Sequence, residues 1–275
     1  MDRRILASSR SCGAGALPDP DHLPDFLPNA HGQQVGRAGR VEHDEAYLST
    51  SHPKIVRFFR EFFGYPLALR VFKDVERSDG LYRDSVPYLL KLAFNPRWGV
   101  LLGGEAHIRQ QNDDGSTQRG IGDTSITLKY AYALDDKRAL GLEFGNKLPT
   151  AKFGLGSGKT DYVLNGIWSY DDGSRALDIN LNTSHLGFAE PGSSAWQTGL
   201  SAAASWSVAE KTDLTAELST AYRRGTASQH QLLMALSYSP TPKVTLYIGF
   251  TRGLAAGSPD WSVFTGIVIP LGKLF

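Results

Sequence analysis

Apolar and polar residues alternate along the chain from about Pro66 to the C-terminus. The clearest segment covers residues 196–208, where one face is almost wholly apolar. That face consists of Trp196, Thr198, Leu200, Ala202, Ala204, Trp206 and Val208. Strict alternation with a period of two predicts a β-strand rather than a helix. A tilted strand needs about 9–11 residues to cross a bilayer, and this one is long enough.

The same alternation recurs through the rest of this region. It is clear in residues 125–134, 140–147, 177–184, 214–223 and 244–251. Weaker versions occupy residues 66–76, 84–94, 98–110, 160–171 and 228–239, and a last strand covers 260–275. The segments add up to about twelve strands, an even number, as in single-chain bacterial outer-membrane barrels.

The predicted connections alternate between short and long. Short connections lie at residues 95–97, 135–137, 171–173, 209–212 and 240–242. Longer ones lie around residues 76–84, 111–122, 151–159, 187–195, 224–229 and 255–259. Short turns on one rim and long loops on the other are typical of outer-membrane proteins. The sequence therefore predicts an all-β fold, a transmembrane antiparallel up-and-down β-barrel over residues 65–275.

Aromatic residues fall on the apolar faces near the strand ends. The predicted aromatic girdle consists of Trp98, Tyr132, Trp168, Trp196, Trp206, Tyr238 and Trp261. Such rings are favoured at the two membrane–water interfaces because they combine an apolar body with a polar edge. Phe275 closes the apolar face of the last strand, and resemblance to outer-membrane barrels implies that it is a C-terminal assembly signal.

Composition narrows the classes of protein that fit this pattern. The chain has 29 basic and 28 acidic residues, which gives no basic footprint for nucleic acid. Its hydrophobic content of 41% and mean hydropathy of −0.25 suit a soluble protein and a barrel with a polar lumen equally. No stretch approaches the 18 or so apolar residues of a spanning helix, which excludes a helical membrane protein.

The N-terminal region has a different character. Residues 1–50 are rich in Pro, Gly, Arg and His, and we expect residues 1–64 to be a disordered or non-native extension with a possible short helix at 53–63. The first twenty residues lack the apolar run of a signal peptide. We therefore expect that residues 1 to about 60 do not belong to the mature protein, which would lie in the outer membrane.

Charged residues occupy the face opposite the apolar one. The predicted lumen-lining residues are Lys91, Glu105, Arg109, Lys129, Glu143, Lys147, Asp161, Asp178, Glu217 and Arg223. Arg70 and His107 share their parity. Charges facing lipid would be costly, so these positions indicate a wet lumen. They could line a solute pathway or form a network of salt bridges that plugs a narrow barrel, and the sequence leaves both readings open.

Few residues are candidates for a catalytic role. His185 and His230 have outward parity near the extracellular end, where outer-membrane lipid hydrolases can place catalytic residues. No acidic or amide residue at matching parity would orient either imidazole. We therefore expect a barrel without enzyme activity, cofactor or metal, and keep the lipid hydrolase and the plugged structural barrel as alternatives.

Residues 120–187 resemble a known outer-membrane family. The family's G-x-G-D-x-x-x-x-x-K-Y strand is matched by Gly120, Gly122, Asp123, Lys129 and Tyr130. Its second segment is matched by residues 147–150 (KLPT) and 155–162, where Ser157 replaces the usual threonine. The stretch resembles the family of the meta-pathway of phenol degradation, with weaker similarity from about residue 84 to the end.

This resemblance carries expectations about function. It implies a channel or transport protein for small, aromatic or hydrophobic, organic compounds. The expected partners are outer-membrane lipid, the barrel-assembly machinery and a small organic solute, with no nucleic acid.

Overall fold

The computed structural model of the protein describes residues 67–78, 80–241 and 243–272. Thirteen strands run in chain order, and their bounds follow. They are β1 (Leu67–Ser78), β2 (Leu81–Ala93), β3 (Trp98–Gln111), β4 (Thr117–Gly120), β5 (Thr124–Ala133), β6 (Arg138–Leu148), β7 (Asp161–Asp171), β8 (Arg175–His185), β9 (Trp196–Ala209), β10 (Thr212–Arg223), β11 (Gln229–Thr241), β12 (Val244–Gly253) and β13 (Trp261–Gly272). The predicted extension, the helix at 53–63 and Phe275 lie outside the described residues.

The strands form one closed antiparallel sheet. Apart from β4 and β5, each strand pairs with the next one in the chain, and β1 pairs with β13 to close the circle. The short β4 pairs only with the outer end of β3, while β5 pairs with the rest of it. β4 and β5 therefore make one wall strand, interrupted at residues 121–123, and the barrel has twelve. This confirms the predicted fold class.

Side-chain burial follows the predicted alternation. In β9 the outward Leu200 is 47% exposed, whereas the neighbouring Ser201 is 2% exposed. Large apolar residues occupy the exposed outer face of strand after strand, as in outer-membrane barrels. Polar residues occupy the buried face, which surrounds the lumen. Within the described ranges, no helix is both long enough and apolar enough to cross a membrane.

The two rims differ as expected. Tight turns lie at residues 94–97, 134–137, 172–174 and 210–211, and Lys243 lies in another turn at the same end, which we call the turn rim. Longer segments at 112–116, 149–160, 186–195, 224–228 and 254–260 form the loop rim. The long connection predicted around residues 76–84 is wrong. β1 continues to Ser78 and β2 starts at Leu81, and Gly80, just before β2, has a positive φ that glycine adopts easily.

Aspartates hold two of the tight turns. The carboxylate of Asp172 accepts hydrogen bonds from the amides of Ser174 (3.0 Å) and Arg175 (2.8 Å) and from the Ser174 hydroxyl (2.9 Å). These bonds, led by the Arg175 amide, lower the pKa of Asp172 to about 2. Asp135 has the same role in the preceding tight turn, and its pKa is lowered first by the Arg138 side chain. Ionised aspartates therefore satisfy backbone amides that the turns leave unpaired.

The predicted girdle residues lie at the two ends of the outward face. Trp98, Tyr132, Trp206 and Tyr238 are 40–47% exposed near the turn rim, and Trp168 shares that rim. Trp196, 60% exposed, and Trp261 lie at the loop rim. Their separation along the strands suits rings placed at both interfaces. Anchoring by these rings stays a prediction.

Candidate functional site: the barrel lumen

The inward face of the barrel carries most of the predicted lumen residues. Inward positions are recognised because they alternate with exposed apolar residues and are buried or half-buried. Those that lie on this face are Lys91, Glu105, Lys129, Glu143, Lys147, Asp161, Asp178, Glu217 and Arg223. Whether they line a solute pathway stays a prediction.

Arg109 and His107 are corrections to the predicted lumen. In β3, Val86 pairs with His107 and Pro87 pairs with Glu105, so Ala106 is an extra residue in the strand. A one-residue bulge reverses the alternation beyond it. Glu105 therefore stays inward, while His107 and Arg109 are exposed on the outer face.

One side of the inner wall is held by polar side chains of β5 to β8, which we call the polar sector. Lys129 Nζ lies 2.7 Å from Glu143 Oε1, and both side chains are less than 10% exposed. Asn165 Nδ2 donates to the other oxygen of Glu143 at 3.0 Å. Further along, Ser169 Oγ donates to Asp178 Oδ1 at 2.5 Å. These bonds link facing residues of neighbouring strands across the wall.

The residues of the family motif meet at the loop rim of the same sector. Lys147 Nζ lies 2.6 Å from Asp123 Oδ2 and 3.3 Å from Asp161 Oδ2, and it donates to Ser157 Oγ at 3.0 Å. Asp123 Oδ1 accepts the amide of Ala151 at 2.9 Å. This single lysine therefore ties the wall to the 149–160 loop.

The motif also holds residues 121–123, the segment between β4 and β5, against β3. The amide of Gly122 donates to the carbonyl of Glu105 at 3.0 Å, which keeps this segment against β3. A Cβ on Gly122 would lie 2.5 Å from Glu105 Oε2 and 2.9 Å from Ile108 Cδ1. The motif glycine is thus required for close approach, and the motif residues described so far have structural roles.

The inner face of β11, β12, β13 and β1 differs, and we call it the aromatic sector. Phe72, Tyr247 and Phe264 form a buried cluster there, packed against half-buried apolar side chains. Those side chains are Leu233, Ala235 and Val268. The closed strand order places this sector across the barrel from the polar sector.

Glycines on neighbouring strands leave the space that the rings of the aromatic sector occupy. Gly266 pairs with both Phe72 and Tyr247, and Gly249 pairs with Phe264. A Cβ on Gly249 would overlap the Phe264 ring, and one on Gly266 would overlap Tyr247 and Phe72. Each ring therefore extends over a neighbouring glycine along the wall. Hydrophobic alternation does not reveal this sector, because both faces of β12 and β13 carry apolar residues, although the inward glycines are a usable signal.

Arg70 borders the aromatic cluster. Its Nε donates to the hydroxyl of Tyr247 at 2.8 Å. Its guanidinium carbon lies 4.6 Å from the centroid of the Tyr247 ring and 5.3 Å from that of Phe72. A planar cation over aromatic faces is stabilised by the ring quadrupoles. Arg70 and the three rings thus form one packed unit.

Two further charged residues are engaged away from the centre of the lumen. Arg223 Nε donates to the carbonyl of Ser194 at 2.6 Å, and its Nη2 donates to Ser193 Oγ at 3.0 Å, so it anchors the 186–195 loop. Arg83, which the sequence analysis did not single out, pairs with Glu105 at 2.6 Å.

The two outward histidines have no shared site. The His185 ring meets the Trp196 ring edge-on, with 4.9 Å between the centroids. His230 is exposed, and its backbone exchanges hydrogen bonds with the Ser258 hydroxyl at 2.8 Å. Both environments are typical of rim residues held by packing and backbone contacts.

Comparison with known proteins agrees with this geometry. An outer membrane channel from Pseudomonas putida F1 superposes with a TM-score of 0.59 at 16% identity, covering 74% of this chain and 95% of that one. The NanC porin gives 0.53 at 13% identity, covering 74% and 100%. The KdgM porin gives 0.50 at 13% identity, covering 73% and 98%.

These likenesses show the fold, that of an outer-membrane barrel. No curated protein matches the sequence. A family model described as putative MetA-pathway of phenol degradation matches residues 88–271 of the 275, and the chain belongs to that family.

Proposed function

We propose that the protein is an outer-membrane channel for small, aromatic or hydrophobic, organic compounds, and that it catalyses no reaction. The observation that carries the proposal is the division of the inner wall into a polar and an aromatic sector. Inward aromatic rings have no role in contacting lipid. A solute with an apolar ring and a polar edge could contact rings on one side and hydrogen-bonding groups on the other.

The family and the fold support the same proposal. The family description refers to phenol degradation, and a channel in the outer membrane would admit the compounds that such a pathway consumes. The NanC and KdgM structures are porins of similar fold. In this proposal, membrane lipid covers the outer face, and the barrel-assembly machinery is a partner of the chain.

Planar-bilayer recording tests the proposal. We expect ion conductance through single barrels, and we expect phenol to reduce it at concentrations where glucose has little effect. Replacing Phe264→Ala should weaken the block by phenol several-fold, because it removes an inward ring. The matched control is Phe250→Ala, which removes a ring that is 45% exposed on the outer face.

Three outcomes would contradict the proposal in different ways. A barrel with neither conductance nor solute flux would be plugged and structural. Conductance that phenol and glucose reduce equally would remove the aromatic preference. Turnover of phospholipid or lipid A that is lost on replacing His185 or His230 would make the protein a hydrolase.

A further inference from the structure

The outer face of the barrel carries an unusual concentration of basic residues at the loop rim. The bulge in β3 contributes to it, because it turns Arg109 outward. The outward parity of each strand places the other members on the same face. We call this set the basic belt, and it consists of Lys73, Arg77, Arg109, Arg119 and Arg252. The four arginines are exposed, and the Lys73 side chain is 44% exposed.

Strand register places two arginines of the belt beside a residue of the aromatic girdle. Arg252 of β12 pairs with Trp261 of β13, and Trp261 pairs with Arg77 of β1. Two arginines therefore flank a girdle tryptophan in one row. Tryptophan rings sit at the depth of the lipid headgroups, so these guanidinium groups lie where headgroups begin.

The rest of the loop rim has a different outer surface. The last outward residues of β5 to β11 at this rim carry no lysine or arginine. They are Thr124, Ile126, Asn146, Leu148, Tyr162, Leu164, Thr183, His185, Trp196, Thr198, Thr220, Tyr222, His230 and Leu232. Among the strand residues of this rim, outward basic side chains are thus confined to the arc from β12 to β4, while the exposed Arg224 lies in the loop after β10.

Within the belt, like charges face each other. Arg109 and Arg119 are direct cross-strand partners on the outward face. Like charges directly opposite in an antiparallel pair are destabilising. Within the described residues of the chain, no salt bridge joins either side chain to a carboxylate. A bound anion between the two guanidinium groups would remove this repulsion.

Acidic residues near the belt neutralise only a fraction of its charge. Asp84 pairs with Lys73 on the same face, and it is also the cross-strand partner of Arg109 in the β2–β3 register. Asp260 precedes β13, and its carbonyl accepts a hydrogen bond from Arg252 Nη1 at 3.1 Å. Asp113 and Asp114 lie beyond the strand ends, in the loop between β3 and β4. On the strands themselves, the five basic side chains therefore face a single carboxylate, that of Asp84, and Asp260 adds a second just before β13.

We propose that the basic belt binds the phosphate groups of lipopolysaccharide in the outer leaflet. Guanidinium groups form paired, charge-assisted hydrogen bonds with phosphate oxygens, which suits arginine better than lysine. Basic clusters at headgroup depth are the usual recognition sites for anionic lipids. Lipopolysaccharide combines such phosphates with acyl chains that would cover the apolar face below. The binding would orient one side of the barrel toward this lipid.

The test compares two quadruple variants of the full chain. One carries Arg77→Gln, Arg109→Gln, Arg119→Gln and Arg252→Gln. The control carries Lys137→Gln, Arg175→Gln, Lys211→Gln and Lys243→Gln, which removes the same charge from exposed residues of the turn rim. Binding of bisphosphorylated lipid A to the folded protein in detergent is measured by titration, and retained lipid is counted by native mass spectrometry.

We expect the belt variant to bind lipid A at least a hundredfold more weakly, from about fivefold per arginine, and the control to stay within about twofold of wild type. Three results would overturn the proposal. They are unchanged binding in the belt variant, an equal loss in the control, and equally tight binding of lipid A stripped of its phosphates.

Two further measurements distinguish the source of the phosphate and replace the quadruple variant if it does not fold. Inorganic phosphate that binds with the same arginine dependence, when lipid A does not bind, would identify a free-anion site and overturn the proposal. If the quadruple belt variant fails the heat-modifiability test of folding, Arg109→Gln and Arg119→Gln are measured singly. Each should weaken lipid A binding about fivefold, and no change in either would overturn the proposal.

Discussion

The polar and aromatic sectors use the same strand geometry with different side chains. In the polar sector, Lys129, Glu143 and Asn165 bridge neighbouring strands through ion pairs and hydrogen bonds. In the aromatic sector, rings such as Phe264 extend over glycines of the next strand. A barrel wall can therefore be stabilised from inside by charge pairing or by ring packing, and each leaves a different surface to the lumen.

The largest expected effect comes from breaking the charge pairing at the loop rim. Lys147→Met leaves the carboxylates of Asp123 and Asp161 without their shared cation, and both side chains are only 3% exposed. Removing one partner of a buried pair costs about 3 kcal/mol or more. The unfolding midpoint in urea, followed by the gel shift on heating, measures the loss.

The matched control for this variant is Lys152→Met in the same loop. Lys152 is exposed, and its Nζ donates to the carbonyl of Arg119 at 2.9 Å. It should lower the free energy of unfolding by less than about 1 kcal/mol. An equal loss in the two variants would show that the buried pairing does not hold the loop rim.

In the aromatic sector, we expect stability to be lost through overpacking instead. Gly266→Ala places a methyl group against Tyr247 and Phe72, and overpacking of this kind costs about 1–3 kcal/mol. Gly166→Ala is the control, because a Cβ there meets only the carbonyl of Leu181 at 3.9 Å. The same urea titration compares them. Equal stability of the two variants would mean that the rings do not depend on the glycine.

The smallest expected effect lies outside both sectors, at the turn rim. The folded pKa of Asp172, about 2, is below its ordinary value of 3.8, so its stabilisation is present above 3.8 and is lost as pH falls through 2. Asp172→Asn should therefore be slightly less stable than wild type at pH 6 and should match it near pH 2. A difference independent of pH would argue against a role for the charge.

Much of the barrel could be predicted from local alternation. β9 was predicted over 196–208 and spans Trp196–Ala209, because its outward apolar row is uninterrupted. The motif residues Asp123, Lys147 and Asp161 were identified by resemblance, but their meeting at one point required the register of three strands. Sequence spacing alone holds no information about which strands lie side by side at a given height.

The errors have physical causes. The single extra residue Ala106 reversed the parity of β3, and no residue type marks a bulge of this kind. The turn between Ser78 and Leu81 was missed because charged residues on both sides of it resemble a loop. The aromatic sector was missed because β13 carries Trp261 and Val263 outward and Phe264 inward, so alternation of hydrophobicity is weak there.

The central claim is that alternate residues of each strand separate lipid from a water-filled lumen. Cysteine accessibility tests it at two adjacent positions in a Cys12→Ser background: Ser219, inward and half-buried, and Leu218, outward and 58% exposed. In reconstituted vesicles, a membrane-impermeant thiol reagent should label Ser219→Cys rapidly and leave Leu218→Cys unlabelled. Labelling of Leu218→Cys with protection of Ser219→Cys would contradict the account.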